Sequence, residues 1–116
     1  MNFLLRTLGL LLVFLSITLP MAADDGKYKD WKHSGSVWII TTPEGADLPA
    51  TAVLEGFPLL VRLQGDFFNF KQSQPKGEDL RVTAAAGEPL AYQIEEWNAE
   101  QATASIWVRV PKIQGN

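Results

Sequence analysis

Two stretches near the end of the chain alternate apolar and polar residues with a period of two, and that alternation is the strongest constraint on the fold. From Leu90 to Trp97 the set Leu90, Tyr92, Ile94 alternates with Ala91, Gln93, Glu95. From Thr103 to Val110 the set Ala104, Ile106, Val108, Val110 alternates with Thr103, Ser105, Trp107, Arg109. Successive side chains of a strand point to opposite faces, so each stretch reads as a strand with one face inward. Matching the two apolar sets pairs Ile94 with Ile106 and Tyr92 with Val108, and leaves Asn98 to Ala102 as the connecting loop. A one-residue slip would turn Ile106 to the polar side, so the pattern selects this register.

Upstream, Ser36 to Thr42 (SVWIITT) is rich in β-branched and aromatic residues and is stopped by Pro43-Glu44-Gly45, which predicts a strand. Thr51 to Leu54 is a short candidate strand. Phe57 to Leu63 is a stronger one, with Pro58 at its start or on a sheet edge because proline lacks an N–H. Leu80 to Thr83 is a further short strand. No 3.6-residue period occurs after residue 23, so the expected fold is all-β: an antiparallel β-sandwich, jelly-roll-like, over residues 34–116. Residues 23–33 are polar apart from Tyr28 and Trp31 and read as a loose arm.

The amino end has a different character. Arg6 precedes Leu8 to Leu19, a run without charge, and Pro20-Met21-Ala22-Ala23 follows. This is the order of a secretory signal peptide, with cleavage expected after Ala22 or Ala23. The run is shorter than the roughly 18 to 20 apolar residues that cross a bilayer, and no second such run follows. The expected product is exported, periplasmic or extracellular, with no transmembrane span.

Composition narrows the chemistry. The chain of 116 residues carries 10 Lys+Arg against 13 Asp+Glu, a formal charge of −3. That balance offers no footprint for a phosphate backbone, so no nucleic-acid partner is expected. No cysteine and one histidine leave no disulfide, thiolate or two-imidazole site. Zinc needs at least three protein ligands, and His33 has no Cys or second His to join it. The oxygen ligands Asp66, Asn69, Glu78 and Asp79 follow no calcium-loop spacing and read as turn residues. Glu95 and Glu96 are adjacent on a strand and point to opposite faces, so they cannot flank one glycosidic bond. The reading is a non-enzyme with no metal and no cofactor.

The candidate binding surface is aromatic. In the register above Gln93, Glu95, Trp97, Trp107 and Arg109 share the face opposite Ile94 and Ile106. Flat rings beside amide and charged groups suit sugars, by apolar contact and directed hydrogen bonds. An envelope polysaccharide is therefore one expected partner. The alternative use of Trp107 is packing against a following domain or closing one side of the sandwich. Phe57, Phe67, Phe68 and Phe70 are expected in the core.

The segments Phe57 to Leu63, Phe68-Asn69-Phe70, Gly77 to Thr83, Gly87 to Trp97 and Ile106 to Pro111 together resemble a bacterial family, domain of unknown function 2341. The resemblance runs from about Trp31 to Pro111. It implies an exported amino-terminal domain of no established activity, found beside concanavalin A-like modules or ahead of ExbB/TolQ-type biopolymer transport domains. Asn69 stands where the family usually has Asp. The family pattern continues into one more strand after the final proline, so the resemblance also implies a fragment lacking that strand. On that expectation the strand Thr103 to Val110 becomes an exposed edge, and the partner is the missing carboxy-terminal part of a longer transport protein.

Overall fold

A computed structural model describes residues 1–5 and 26–116 of the chain. It contains β1 (Asn2–Leu5), β2 (His33–Ser36), β3 (Val53–Gln64), β4 (Arg81–Thr83), β5 (Tyr92–Asn98) and β6 (Thr103–Gln114), with one 3-10 turn at Phe70–Gln72. Two antiparallel three-stranded sheets form, in the orders β2-β1-β4 and β3-β6-β5. The inner faces meet: Leu5 and Val82 from the first sheet join Leu63, Ala104, Ile106 and Val108 from the second in one buried cluster with Phe68, Phe70, Leu80 and Leu90. The fold is a β-sandwich.

The period-two pattern explains the second sheet directly. Ala104, Ile106, Val108 and Val110 of β6 are buried, while Thr103, Trp107 and Arg109 between them face outward. Ile94 pairs with Ile106 and Tyr92 with Val108, the register that the apolar sets select. On the other side β3 pairs with β6 from Val53↔Gln114 to Gln64↔Thr103. The candidate strands 51–54 and 57–63 therefore merge into one long strand. Packing between the sheets leaves an apolar void of only about 10 Å³ lined by residues such as Val61, Leu63, Ile106 and Val108, with no polar group to hold a water.

Both prolines of this sheet sit where their missing N–H costs no ladder bond. The Arg109 N–H donates to Ala91 O at 2.9 Å, so the backbone groups of Arg109 turn toward β5. Its β3 partner Pro58 consequently points its nitrogen to the free side of β3, an edge strand. Pro111 lies in β6 beyond the last β5 pair, Tyr92↔Val108.

Four expectations are corrected. Thr103–Gln114 is the central strand of its sheet, flanked by β3 and β5, so it is not an exposed edge; the edges are β3 and β5. The predicted strand 36–42 is cut short: β2 spans His33–Ser36, and 37–42 lie outside any strand. Their alternation persists, with Val37 and Ile39 half-buried and Trp38 and Ile40 exposed. Val37 N–H still bonds to Met1 O at 2.8 Å, one residue beyond the last pair of the ladder, Asn2↔Ser36. At the end of this stretch the exposed Glu44 carboxyl is held below its ordinary value by a hydrogen bond from the Thr42 side chain and by its own backbone N–H.

The described part of the arm is anchored as well. Trp31 Nε1 donates to Asp79 O at 2.7 Å, Arg81 lies over the Trp31 ring at 5.3 Å, and Tyr28 meets Trp31 edge-on. Of the four phenylalanines expected inside, Phe68 and Phe70 are buried, whereas Phe57 and Phe67 are exposed. The expected cleavage site and the uncharged run Leu8 to Leu19 lie outside the described residues. Of the segment before them, residues 1–5 are described, and Asn2–Leu5 form β1.

The inner face of β6 should dominate stability. Ile106→Ala is expected to cost roughly 2–5 kcal/mol, the range for deleting a buried branched side chain. Thr103→Ala on the exposed side of the same strand should stay within about 0.5 kcal/mol. Urea unfolding followed by far-UV circular dichroism measures both, and equal losses would contradict the assignment of faces.

Candidate functional site

The outer face of β3-β6-β5 is built by the same alternation that builds the core. Cross-strand pairing places Leu60, Trp107 and Gln93 in one row, and Pro58 and Arg109 in the next. Arg62 pairs with Ser105, and Ser105 in turn with Glu96. Trp107 is 39% exposed, and its ring stands between an aliphatic neighbour on β3 and an amide on β5. Three of the five expected site residues, Gln93, Trp107 and Arg109, thus share this face.

Trp97 does not. A bulge between Ile94 and Glu96 shifts the register by one, so Trp97 pairs with Ala104 and Asn98 with Thr103. Trp97 is turned to the inner side, 5.8 Å from the Phe68 ring and 5.2 Å from the Phe70 ring, both edge-on. Its Nε1 is buried and has no hydrogen-bond partner. Gly77, at φ +72°, lies under this ring, and a Cβ there would come within 2.6 Å of it. The extra residue of the bulge is Glu95, which stays exposed. An added residue in one strand inverts every later side chain, and here it trades a surface tryptophan for a core one. The bulge also tightens the hairpin, which closes with the Gln101 N–H donating to Asn98 Oδ1 at 2.9 Å.

The most exposed aromatic residues come from elsewhere. Trp38 is 84% exposed and Phe67 60%. Both line an open groove of about 350 Å³ along the free edge of β3, together with Val37, Leu60 and Arg62. Leu60 belongs to the groove and to the Trp107 row, so the two surfaces join. Sequence reasoning missed Trp38 because the SVWIITT stretch was assigned to a strand and the phenylalanines to the core. The signal available was the even-numbered pair Trp38 and Ile40 within one extended segment, which puts both on the same side.

The oxygen-bearing residues hold turns. Asn69 Oδ1 accepts from Lys71 N at 3.1 Å and caps the 3-10 turn. Glu78 Oε2 accepts from Lys76 N at 3.0 Å, and the buried Asp79 carboxylate accepts from Gln74 N at 2.9 Å. Among the described residues no group of three or more His, Asp or Glu side chains is placed to hold a metal ion. No described helix is long and apolar enough to cross a membrane.

Residues 76–116 match the family described as Domain of unknown function (DUF2341). The DUF2341 match covers β4, β5 and β6 and so contains Gln93, Glu95, Trp97, Trp107 and Arg109. The resemblance read from the sequence holds over this segment; β1, β2, β3 and the Trp38 groove precede it. No curated protein matches the chain. No solved structure matches it either.

The two tryptophans of the DUF2341 segment should separate cleanly by substitution. Trp97→Ala is expected to destabilise by roughly 3 kcal/mol, near the low end for removing a large core aromatic because the ring is only partly covered. Trp107→Ala should change stability by less than about 1 kcal/mol. Chemical denaturation of both variants checks this, and the reverse order would mean that the bulge is not at Glu95.

Proposed function

We propose that the chain is an exported, non-catalytic β domain that holds or positions another component of the cell envelope. The observation that carries this reading is the continuous surface of Trp107, Leu60, Arg62, Trp38 and Phe67. Exposed aromatics joined into one patch and flanked by arginine are the composition of a binding surface. The leader-like amino end supports export. The family's occurrence at the exported end of ExbB/TolQ-type biopolymer transport proteins, which the resemblance implies, supports a role as a periplasmic portion of such a protein. Its partner would then be the remainder of that transport protein.

A second reading, an envelope-glycan-binding module, is favoured by one arrangement. The Gln93 residue pairs with Trp107, and Arg109 follows two residues along the same face. Ring, amide and guanidinium on one surface can stack on a sugar and hydrogen-bond its hydroxyls. Trp97 has no part in it.

Two measurements decide between these outcomes. Cell fractionation with intact-mass analysis should find the product in the envelope fraction with the leader removed; a cytoplasmic product of unchanged mass would overturn export. Titration with a panel of envelope glycans should quench or shift tryptophan emission in the wild type and not in Trp107→Ala if the glycan reading holds. An unchanged wild-type signal across the panel removes that reading and leaves a protein partner.

A further inference from the structure

The first sheet of the sandwich exists through β1. That strand lies between β2 and β4 and pairs with both: Phe3 faces Gly35 on one side and Val82 on the other, and Leu4 faces Ser34 and Arg81. Leu5 is 3% exposed. The Phe3 ring lies 5.5 Å from that of Phe68. The Met1 amino group donates to Val37 O at 3.2 Å, and Ser36 Oγ donates to Asn2 Oδ1 at 3.0 Å. Gly35 accommodates the aromatic ring directly, because a Cβ there would stand 2.4 Å from Phe3 Cζ.

These residues are also the amino end of the segment read as an export leader. Cutting after Ala22 or Ala23 severs the covalent link between β1 and β2. It leaves β2 and β4 separated by a seat one strand wide, over a floor of Val61, Leu63, Leu80, Val82, Ile106 and Val108. An open seat would expose two rows of unpaired N–H and C=O groups beside that apolar floor, which is costly and invites strand addition.

We propose that the seat between β2 and β4 is a strand-acceptor site. In the uncut chain residues 2–5 fill it. Once the leader is cut, an extended segment of a partner polypeptide takes their place, running antiparallel to both β2 and β4. The chemistry of that segment follows from the strand now seated: large apolar side chains at alternate positions, in the places of Met1, Phe3 and Leu5, with an aromatic at the middle one above Gly35. Backbone pairing on both sides supplies affinity, and the alternate pockets supply selection. This inference rests on the export reading for its biological setting, but the seat itself can be tested on purified protein.

The experiment uses the full chain with a site-specific protease sequence inserted after Ala23. The folded protein is cut and run on native size exclusion with mass detection, then incubated with excess fluorescent peptide of sequence Met1 to Arg6. The cut protein should take up the labelled peptide and the uncut protein should not. A peptide carrying Phe3→Ser and Leu5→Ser should bind at least tenfold more weakly. Gly35→Val in the full chain should lower uptake of the wild-type peptide by a comparable factor, whereas Lys32→Ala should not. If cutting causes aggregation, rescue by the wild-type peptide and not by the serine variant supports the seat. Loss of the leader fragment with no peptide uptake, or aggregation that neither peptide relieves, overturns it. Such a failure leaves export untouched, just as a cytoplasmic location in fractionation would leave the peptide-exchange result standing.

Discussion

One apolar strand face organises this molecule. Ala104, Ile106 and Val108 of β6 are buried on a single side, and β3 and β5 flank that strand in register with it. Their inner residues Val61, Leu63, Tyr92 and Ile94 extend the same apolar surface. A sheet with one such face must cover it. The cover here is assembled from short pieces: β4, the Phe68–Phe70 turn, Leu80, Leu90 and β1. None of these is long enough to be stable by itself. Each is held because the β6 face offers apolar area on which to settle.

The surfaces left outside follow from the same alternation. Burying Ile106 and Val108 puts Trp107 outward, beside Leu60 and Gln93, and that row meets the Trp38–Phe67 groove at the β3 edge. Pro58 removes one donor from that edge, but an arginine and two exposed aromatics beside the strand leave a surface suited to a partner. The other sheet meets the strand-edge problem differently. Its two flanking strands are both paired to a central strand formed by residues 2–5, so the backbone hydrogen bonds of that sheet depend on the amino end of the chain.

Sequence reading recovered what repeats with a fixed period. The register of β5 on β6 was legible at Ile94 and Tyr92 because a slip would have inverted a whole apolar set. The outward position of Gln93, Trp107 and Arg109 came with it. Trp97 was not legible, since a bulge carries no period of its own and is stabilised by distant groups, the Phe68 and Phe70 rings and the space above Gly77. The stretch after Ser36 failed for a related reason. Its β-branched residues favour extended backbone, but a strand also needs a neighbour, and the last pair between β1 and β2 is Asn2↔Ser36.

By itself, the sequence determined the class of fold, the long hairpin of the DUF2341 segment and the side of β6 that enters the core. Those properties are local: alternation, turn residues and the reach of two adjacent strands settle them within thirty or so residues. Only the tertiary structure decided that β6 is central and β3 an edge, that Trp97 is inside and Trp38 outside, and that residues 2–5 complete the first sheet. Those properties depend on which distant strand offers an unpaired edge and an uncovered apolar face, and neither is written in the spacing of residues along the chain.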